Sequence, residues 1–139
     1  MFFCISFPLI SIYATPYMMV ATAAYFIFLS GLMFVGVNKN THAMLMSSAM
    51  LMDLILVLTL EIQRNAIETL ISFKLTPLNK VHIYSSTIAV VLYFPVFYLG
   101  YKKLSGKGTK SINKWHKILG KFTVLFRTIG FLFMFSMLK

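Results

Sequence analysis

Charged residues are scarce in this 139-residue chain, at 12%, and only three of them are acidic. Soluble domains usually carry about 25% charged residues, so this shortage excludes an ordinary water-soluble enzyme. The single cysteine, Cys4, excludes a disulfide framework. The sequence also lacks a Gly-rich phosphate loop, paired catalytic carboxylates and a Ser/His/Asp arrangement. We therefore assign no catalytic residues and leave open whether the chain is an enzyme.

The distribution of the basic residues favours a membrane protein over a nucleic-acid-binding one. The net charge is +10, but eight of the thirteen basic residues are Lys39 and the lysines between Lys102 and Lys121. Both groups lie beside long apolar segments, which is how membrane proteins distribute their charge. We predict membrane lipid as a partner and no binding of nucleic acid.

Long apolar runs account for much of the chain, which is 59% hydrophobic. A helix needs about 20 mostly apolar residues to cross roughly 30 Å of hydrocarbon. Backbone groups in lipid must be satisfied within the segment, which requires helices here. The sequence therefore predicts an all-α integral membrane protein, a single domain over residues 1–139 with a bundle of four transmembrane helices. The four predicted spans cover about 16–37, 42–62 (with Thr41 as its N-cap), 81–101 and 115–138.

The loops between these spans predict the orientation. We call the side that holds the first and third connections the inner side. It carries eight lysines, whereas the opposite side carries four basic residues: Arg64, Lys74, Lys80 and Lys139. An excess of Lys and Arg marks cytoplasmic loops, so we expect the inner side in the cytoplasm and both termini outside. The expected location is a bacterial inner (plasma) membrane.

Two charged residues fall inside predicted spans, where they are costly. Asp53 lies eleven positions after His42 in the second span, and Arg127 lies eleven positions after His116 in the fourth. Eleven residues at about 100° each return nearly to the starting face, so each histidine shares a helix face with a charge. A lone charge at the membrane centre costs about 2.5–3.5 kcal/mol on insertion scales. We predict that the second and fourth helices are neighbours joined by an Asp53–Arg127 pair, with either a structural or a functional role.

The same faces bring two histidines towards each other near the inner boundary. Two imidazoles on opposed helices are a common way for a bundle to hold haem b through axial nitrogens. We therefore predict His42 and His116 as haem ligands, with Lys117 and Lys121 available to neutralise the propionates. The alternative is that both histidines are interfacial residues at helix starts with no ligand.

The third histidine, His82, begins the third span at the opposite side of the membrane. It cannot share an iron with the other two, and Glu61 lies at about the same level. We predict a Glu61–His82 polar pair, which could be an ion pair, a proton site or a quinone contact. The ten methionines do not indicate copper, because methionine near His42 points mostly away from that residue and serves as packing.

The three helix-start histidines carry a resemblance to a known family. The strongest stretches run from His82-Ile-Tyr-Ser-Ser-Thr to Gly100-Tyr-Lys-Lys, then Lys-Trp-His116-Lys and Thr128-Ile-Gly130. Over about residues 25–137 the chain resembles a family of small four-helix, tri-histidine bacterial membrane proteins associated with haem insertion during cytochrome oxidase maturation. Separately, His116-Lys-Ile-Leu-Gly120 is similar to the His-x-x-Leu-Gly of several b-type cytochromes. Both resemblances imply haem handling.

Three classes of function follow from these features. The first is a haem b protein acting in respiratory electron transfer or in haem delivery during oxidase maturation. The second is a non-catalytic accessory subunit of a larger respiratory or photosynthetic membrane complex. The third, a small transporter, would use Asp53, Arg127 and Glu61 as a proton path. Both haem roles need a partner, so we expect other subunits of a membrane complex to contact the first or third helix.

Overall fold

The described part of the chain is entirely helical apart from its connections. A computed structural model describes residues 16–64 and 76–135. Within them lie four helices: α1 (Pro16–Met33), α2 (Lys39–Arg64), α3 (Pro77–Leu104) and α4 (Lys110–Met134). The all-α prediction is confirmed. Cys4, Lys74, Lys139 and the predicted end of the fourth span lie outside the described residues.

Three of these helices are long and apolar enough to cross a membrane: α1, α2 as far as Ile62, and α3. The predicted fourth span, α4, is not among them. Its 25 residues include five basic ones: Lys110, Lys114, Lys117, Lys121 and Arg127. The charge of α4, rather than its length, separates it from the other three.

Side-chain caps set where the helices begin. The side-chain oxygen of Asn38 accepts hydrogen bonds from the backbone N–H groups of Asn40 and Thr41, at 3.1 and 3.2 Å. Asn38 thus caps α2, and the expectation that Thr41 would do so is wrong, because α2 already includes Thr41. Thr76 and Thr109 cap α3 and α4 in the same way.

Tight turns join the helices at the inner side. Gly36, between α1 and α2, has φ 84°, and Gly106, between α3 and α4, has φ 74°. Residues with a side chain rarely adopt this left-handed conformation. A glycine at each of the two turns therefore lets the chain reverse its direction within a few residues. The turn at Gly36 also explains why α1 ends at Met33 and not at residue 37, where the predicted span ended.

The four helices form two hairpins that meet face to face. Helix α1 packs along α2 and α3 packs along α4, while α2 with α3 and α1 with α4 make shorter contacts. This order places α2 and α4 diagonally across the bundle. The prediction that they are neighbours is therefore wrong, and any direct contact between them must cross the centre of the bundle.

Apolar side chains close the bundle at two levels. One cluster joins Met18 and Ala21 of α1 to Met134 of α4. The other joins Met50 of α2 to Tyr93 and Val96 of α3, with Met46, Val90 and Leu119 packed against it. The polar residues of the bundle lie between and beyond these two clusters.

Candidate functional site

A charged cluster occupies the centre of the bundle. A guanidinium N–H of Arg127 donates to a carboxylate oxygen of Asp53 at 2.6 Å, and both side chains are only 7% exposed. The hydroxyl of Tyr93 on α3 donates to the other carboxylate oxygen at 2.5 Å. The structure thus brings Asp53 and Arg127 together, as the sequence indicated, although their helices are diagonal. Both oxygens of a deeply buried carboxylate are satisfied, as burial of a charge requires.

Arg127 also contacts α1, so its direct partners lie on two other helices, α1 and α2. The Arg127 nitrogen that meets Asp53 lies 3.3 Å from the carbonyl oxygen of Ala21. The guanidinium carbon lies 5.8 Å from the centre of the Tyr25 ring, within cation–π range. The hydroxyl of Tyr25 donates to Thr128 on α4 at 3.1 Å. One arginine therefore links all four helices, through Tyr93 and Asp53 on one side and α1 on the other.

Replacing Tyr93 with phenylalanine is expected to destabilise the protein by about 1.5–3 kcal/mol, the usual contribution of a hydrogen bond to a charged group. The variant leaves one oxygen of the buried Asp53 carboxylate unsatisfied while retaining the aromatic ring. Thermal unfolding in a mild detergent would measure the loss. Tyr98→Phe is the matched control, since Tyr98 is 55% exposed on the same helix. Equal stability of the two variants would contradict the assigned role of Tyr93.

His42, in the first turn of α2, contacts the end of α1. Its Nδ1 lies 2.8 Å from the carbonyl oxygen of Gly31. Gly31 is buried, and a methyl group there would lie 2.9 Å from the sulfur of Met46. A glycine therefore lets α1 approach the face of α2 that carries His42.

His116 makes a corresponding contact between α4 and α3. Its Nδ1 lies 3.2 Å from the carbonyl oxygen of Val96. A methyl group added at Gly100, one turn further along α3, would lie 3.2 Å from a carbon of the His116 ring. The imidazole therefore lies against a glycine of the helix that supplies its hydrogen-bond acceptor.

His82 repeats the pattern at the opposite end of the bundle. Its Nδ1 lies 2.6 Å from the carbonyl oxygen of Gly130 on α4. A carbonyl oxygen can only accept, so Nδ1 of each of the three histidines must carry the proton. In the neutral ring the other nitrogen, Nε2, then keeps a free lone pair. This is the arrangement found in histidines that ligate metals, where a backbone carbonyl fixes the tautomer and orients the ring.

The close contact at Gly130 predicts that a larger residue at this position destabilises the fold. A methyl group added there would lie 2.6 Å from the hydroxyl oxygen of Ser86 and 3.3 Å from its backbone nitrogen. Gly130→Ala is expected to destabilise the fold by about 1–3 kcal/mol, because the backbones of α3 and α4 must separate.

The matched control is Gly120→Ala on the same helix, where an added methyl meets no atom within 4 Å. That change is expected to stabilise the protein by up to about 1 kcal/mol through helix propensity. Thermal unfolding of the two variants would show shifts of opposite sign. A stabilised Gly130→Ala protein would contradict the close packing of α3 on α4.

The two predicted haem ligands lie at the same end of the bundle, where α2 and α4 begin. His116 is within electrostatic range of both His42 and Lys103. Below them Met46 and Leu119 pack onto the buried Met50 cluster and form an apolar floor. The open space at Gly120 lies one turn beyond His116 on the same helix. Among the described residues, no group of three or more His, Cys, Asp or Glu side chains could hold a metal ion.

The lysines predicted to neutralise propionates lie elsewhere on α4. Lys117 and Lys121 are exposed. At about 100° per residue they lie roughly 100° and 140° around the helix from His116. Lys103, at the end of α3, is half-buried and interacts electrostatically with His116. It is the cation that the sequence reasoning missed, because only the packing of α3 on α4 brings it to this histidine.

The structure gives a contact for His82 but does not test the predicted pair of Glu61 and His82. His82 has Gly130 as its Nδ1 partner. Glu61 is half-buried near the end of α2. Their contact stays a prediction, as does its role.

Comparison with known proteins leaves the chain without a matched relative. A scan against protein-family models and searches of curated proteins and of solved structures each found no match. The function must therefore be inferred from the residues of this chain.

Proposed function

We propose that this chain is a haem b-binding protein with four membrane spans, acting in respiratory electron transfer or in haem delivery during oxidase maturation. One observation carries the proposal. His42 and His116 begin two helices at the same end of the bundle, and each donates Nδ1–H to a backbone carbonyl, which leaves Nε2 as a ligand. The resemblance to the small tri-histidine family depends on these same residues, and we propose kinship with it.

The residues around the two histidines fit a flat apolar cofactor with acidic edges. Gly120 leaves space beside His116, and Met46 and Leu119 supply an apolar floor. Lys103, which interacts electrostatically with His116, would offset a propionate charge. Bound haem would supply a one-electron couple at its iron. His42 and His116 would hold the iron, and a site that supplies two protein nitrogens would favour electron transfer over oxygen chemistry.

The chain's own groups would hold and tune that site. The carbonyl oxygens of Gly31 and Val96 fix the tautomer and orientation of the two rings, and they raise the basicity of each free nitrogen. The apolar floor would exclude water from below. The ion pair of Asp53 and Arg127, one level deeper, fixes the relative positions of the helices that carry the histidines.

We also propose that α4 is the fourth span and that both termini lie outside, in a bacterial plasma membrane. Arg127 is the basic residue of α4 that would lie deepest in lipid. Its side chain is 7% exposed and paired with Asp53, so the charge would face the bundle and not the acyl chains. The excess of lysine at the inner side supports the orientation.

The absorbance spectrum of the purified protein tests the proposal. Protein expressed with a haem supply and purified in mild detergent is expected to give the Soret and α bands of a b-type haem in a reduced-minus-oxidised spectrum. Stoichiometric haem that cannot be removed by dialysis would support electron transfer. Haem that passes to an apo-acceptor protein would support delivery. A folded protein without haem after reconstitution with excess hemin would overturn the proposal.

An accessory subunit without a cofactor is the second candidate. His82 favours it, since this histidine makes the same carbonyl contact as the other two although no second histidine faces it. The contact can therefore serve helix packing alone. Under this alternative the protein copurifies colourless with larger membrane subunits, and native mass measurement would identify the assembly.

A further inference from the structure

Four lysines form an exposed stripe along α4. Lys110, Lys114, Lys117 and Lys121 are separated by four, three and four residues, and all four are exposed. At about 100° per residue they fall within an arc of about 60° on the helix surface. At 1.5 Å rise per residue the stripe is about 16 Å long. We call this surface the lysine stripe.

The same face of α4 becomes apolar directly beyond the stripe. Leu125 lies one turn after Lys121 and is 51% exposed, and Leu132 is 63% exposed. Their positions around the helix fall within about 40° of Lys121. The face therefore runs from a cationic half to an apolar half along a single line.

The packing of α3 on α4 shows how deep the lysines lie. His116 contacts Val96 and Gly100, and fourteen residues later Gly130 contacts Ser86, fourteen residues before Gly100. The two helices are antiparallel and in constant register. Lys121, five residues after His116, is thus level with residues 91–95 of α3. There α3 exposes Val91 and Phe94 in a span apolar enough to cross a membrane.

The two helices of this hairpin contain no counter-charge for the stripe. Residues 76–135 include no Asp or Glu. Of the three acidic residues of the chain, Asp53 is bonded to Arg127 and Glu61 is at the other end of α2. Glu68 lies outside the described residues. These exposed cations, which lie beside an apolar surface without a carboxylate in the same hairpin, are therefore available to an anion from outside the chain.

We propose that the lysine stripe binds the phosphate headgroup of an anionic phospholipid, whose acyl chains lie along Leu125 and Leu132. In a phospholipid a charged headgroup is followed by apolar chains. Along this face of α4, likewise, a charged half is followed by an apolar half. Trp115 and Tyr101 at the same end are 54% and 64% exposed, as expected for aromatic residues at a membrane interface. An acidic protein segment would match the lysines but not the leucines. This binding is independent of haem.

Native mass spectrometry of the detergent-purified protein tests the assignment. Titration with phosphatidylglycerol is expected to give bound lipid at concentrations where phosphatidylcholine with the same acyl chains gives none. The Lys117→Gln/Lys121→Gln variant is expected to bind phosphatidylglycerol about thirtyfold more weakly, since each surface lysine contributes about 1 kcal/mol. Lys39→Gln/Lys107→Gln removes the same charge from the same end, outside the stripe, and is expected to retain nearly all of the affinity. Lys117→Arg/Lys121→Arg is expected to retain it too.

Several outcomes would overturn the proposal. Equal losses in the two glutamine variants would show that only net charge matters. Equal binding of the two lipids by the unmodified protein would exclude headgroup recognition, even if the glutamine variant failed to fold. Displacement of the lipid by inorganic phosphate would indicate a free-anion site. An acidic protein that copurifies and is lost only from the Lys117→Gln/Lys121→Gln variant would assign the stripe to that partner.

Discussion

Replacing Arg127 alone with leucine is expected to destabilise the bundle more than replacing Arg127 and Asp53 together. The single variant leaves a buried carboxylate without its cation, which typically costs about 3–5 kcal/mol. The double variant, Arg127→Leu/Asp53→Leu, removes both charges and fills the space with apolar atoms. Such replacements are often neutral or stabilising. Arg127 carries this effect because its partners lie on α2 and α1.

Thermal unfolding of the purified proteins in mild detergent would measure both variants. Lys121→Leu is the matched control, since it also replaces a cation of α4 with leucine but at an exposed position. Its expected effect is within about 0.5 kcal/mol, as for most surface substitutions. A double variant less stable than Arg127→Leu would show that the pair itself, and not the stranded charge, dominates the energetics.

Alanine substitution at His42 or His116 is expected to abolish haem binding, whereas the same change at His82 is expected to leave it intact. All three variants lose one hydrogen bond from Nδ1 to a neighbouring helix, so their losses of stability should be alike. Only His42 and His116 lie at the end of the bundle proposed to hold haem. The comparison therefore separates ligation from helix packing.

The haem content of each variant, measured after saturating reconstitution with hemin, provides the test. A folded His116→Ala protein with full haem content would remove that residue as a ligand. Loss of haem from all three variants in proportion to their loss of stability would assign the histidines to packing and favour the accessory-subunit alternative.

The central ion pair was predictable from the sequence because lipid makes isolated charges costly. Asp53 and Arg127 are the charged residues deepest in their apolar segments, so pairing them required no knowledge of the fold. The arrangement of the helices was not predictable in the same way. Arginine is long enough to reach across the bundle, and an ion pair therefore does not establish that two helices are neighbours.

The hydrogen bond from Tyr93 to Asp53 was not predicted, because helical spacing groups Tyr93 with other residues of α3 and does not indicate a partner on another helix. A signal was nevertheless present, since a carboxylate has two oxygens and one arginine contact leaves the second to be satisfied. Tyr93 also lies four and eight residues after the small residues Ala89 and Ser85, which are buried with it. A hydroxyl on a small-residue face was the available clue.

The environment of the histidines depends on tertiary contacts that sequence patterns do not contain. Helical spacing placed His42 and His116 at the same end of the bundle. Their backbone partners, Gly31 and Val96, belong to α1 and α3, whereas the spacing related α2 to α4 alone. The lysines show the same limit. Proximity in sequence favoured Lys117 and Lys121, whereas packing brings Lys103 to His116.

The central ion pair also constrains how the protein can be made. Asp53 and Arg127 are separated by 74 positions, so the carboxylate is synthesised long before its cation. When α1 and α2 first leave the ribosome as a hairpin, they carry an unpaired acid near the middle of the second helix. In a membrane this unpaired acid would cost about 2.5–3.5 kcal/mol, or would be held neutral by a proton, until α4 supplies Arg127. The last helix to be synthesised therefore completes the pairing of a charge that the second helix introduces.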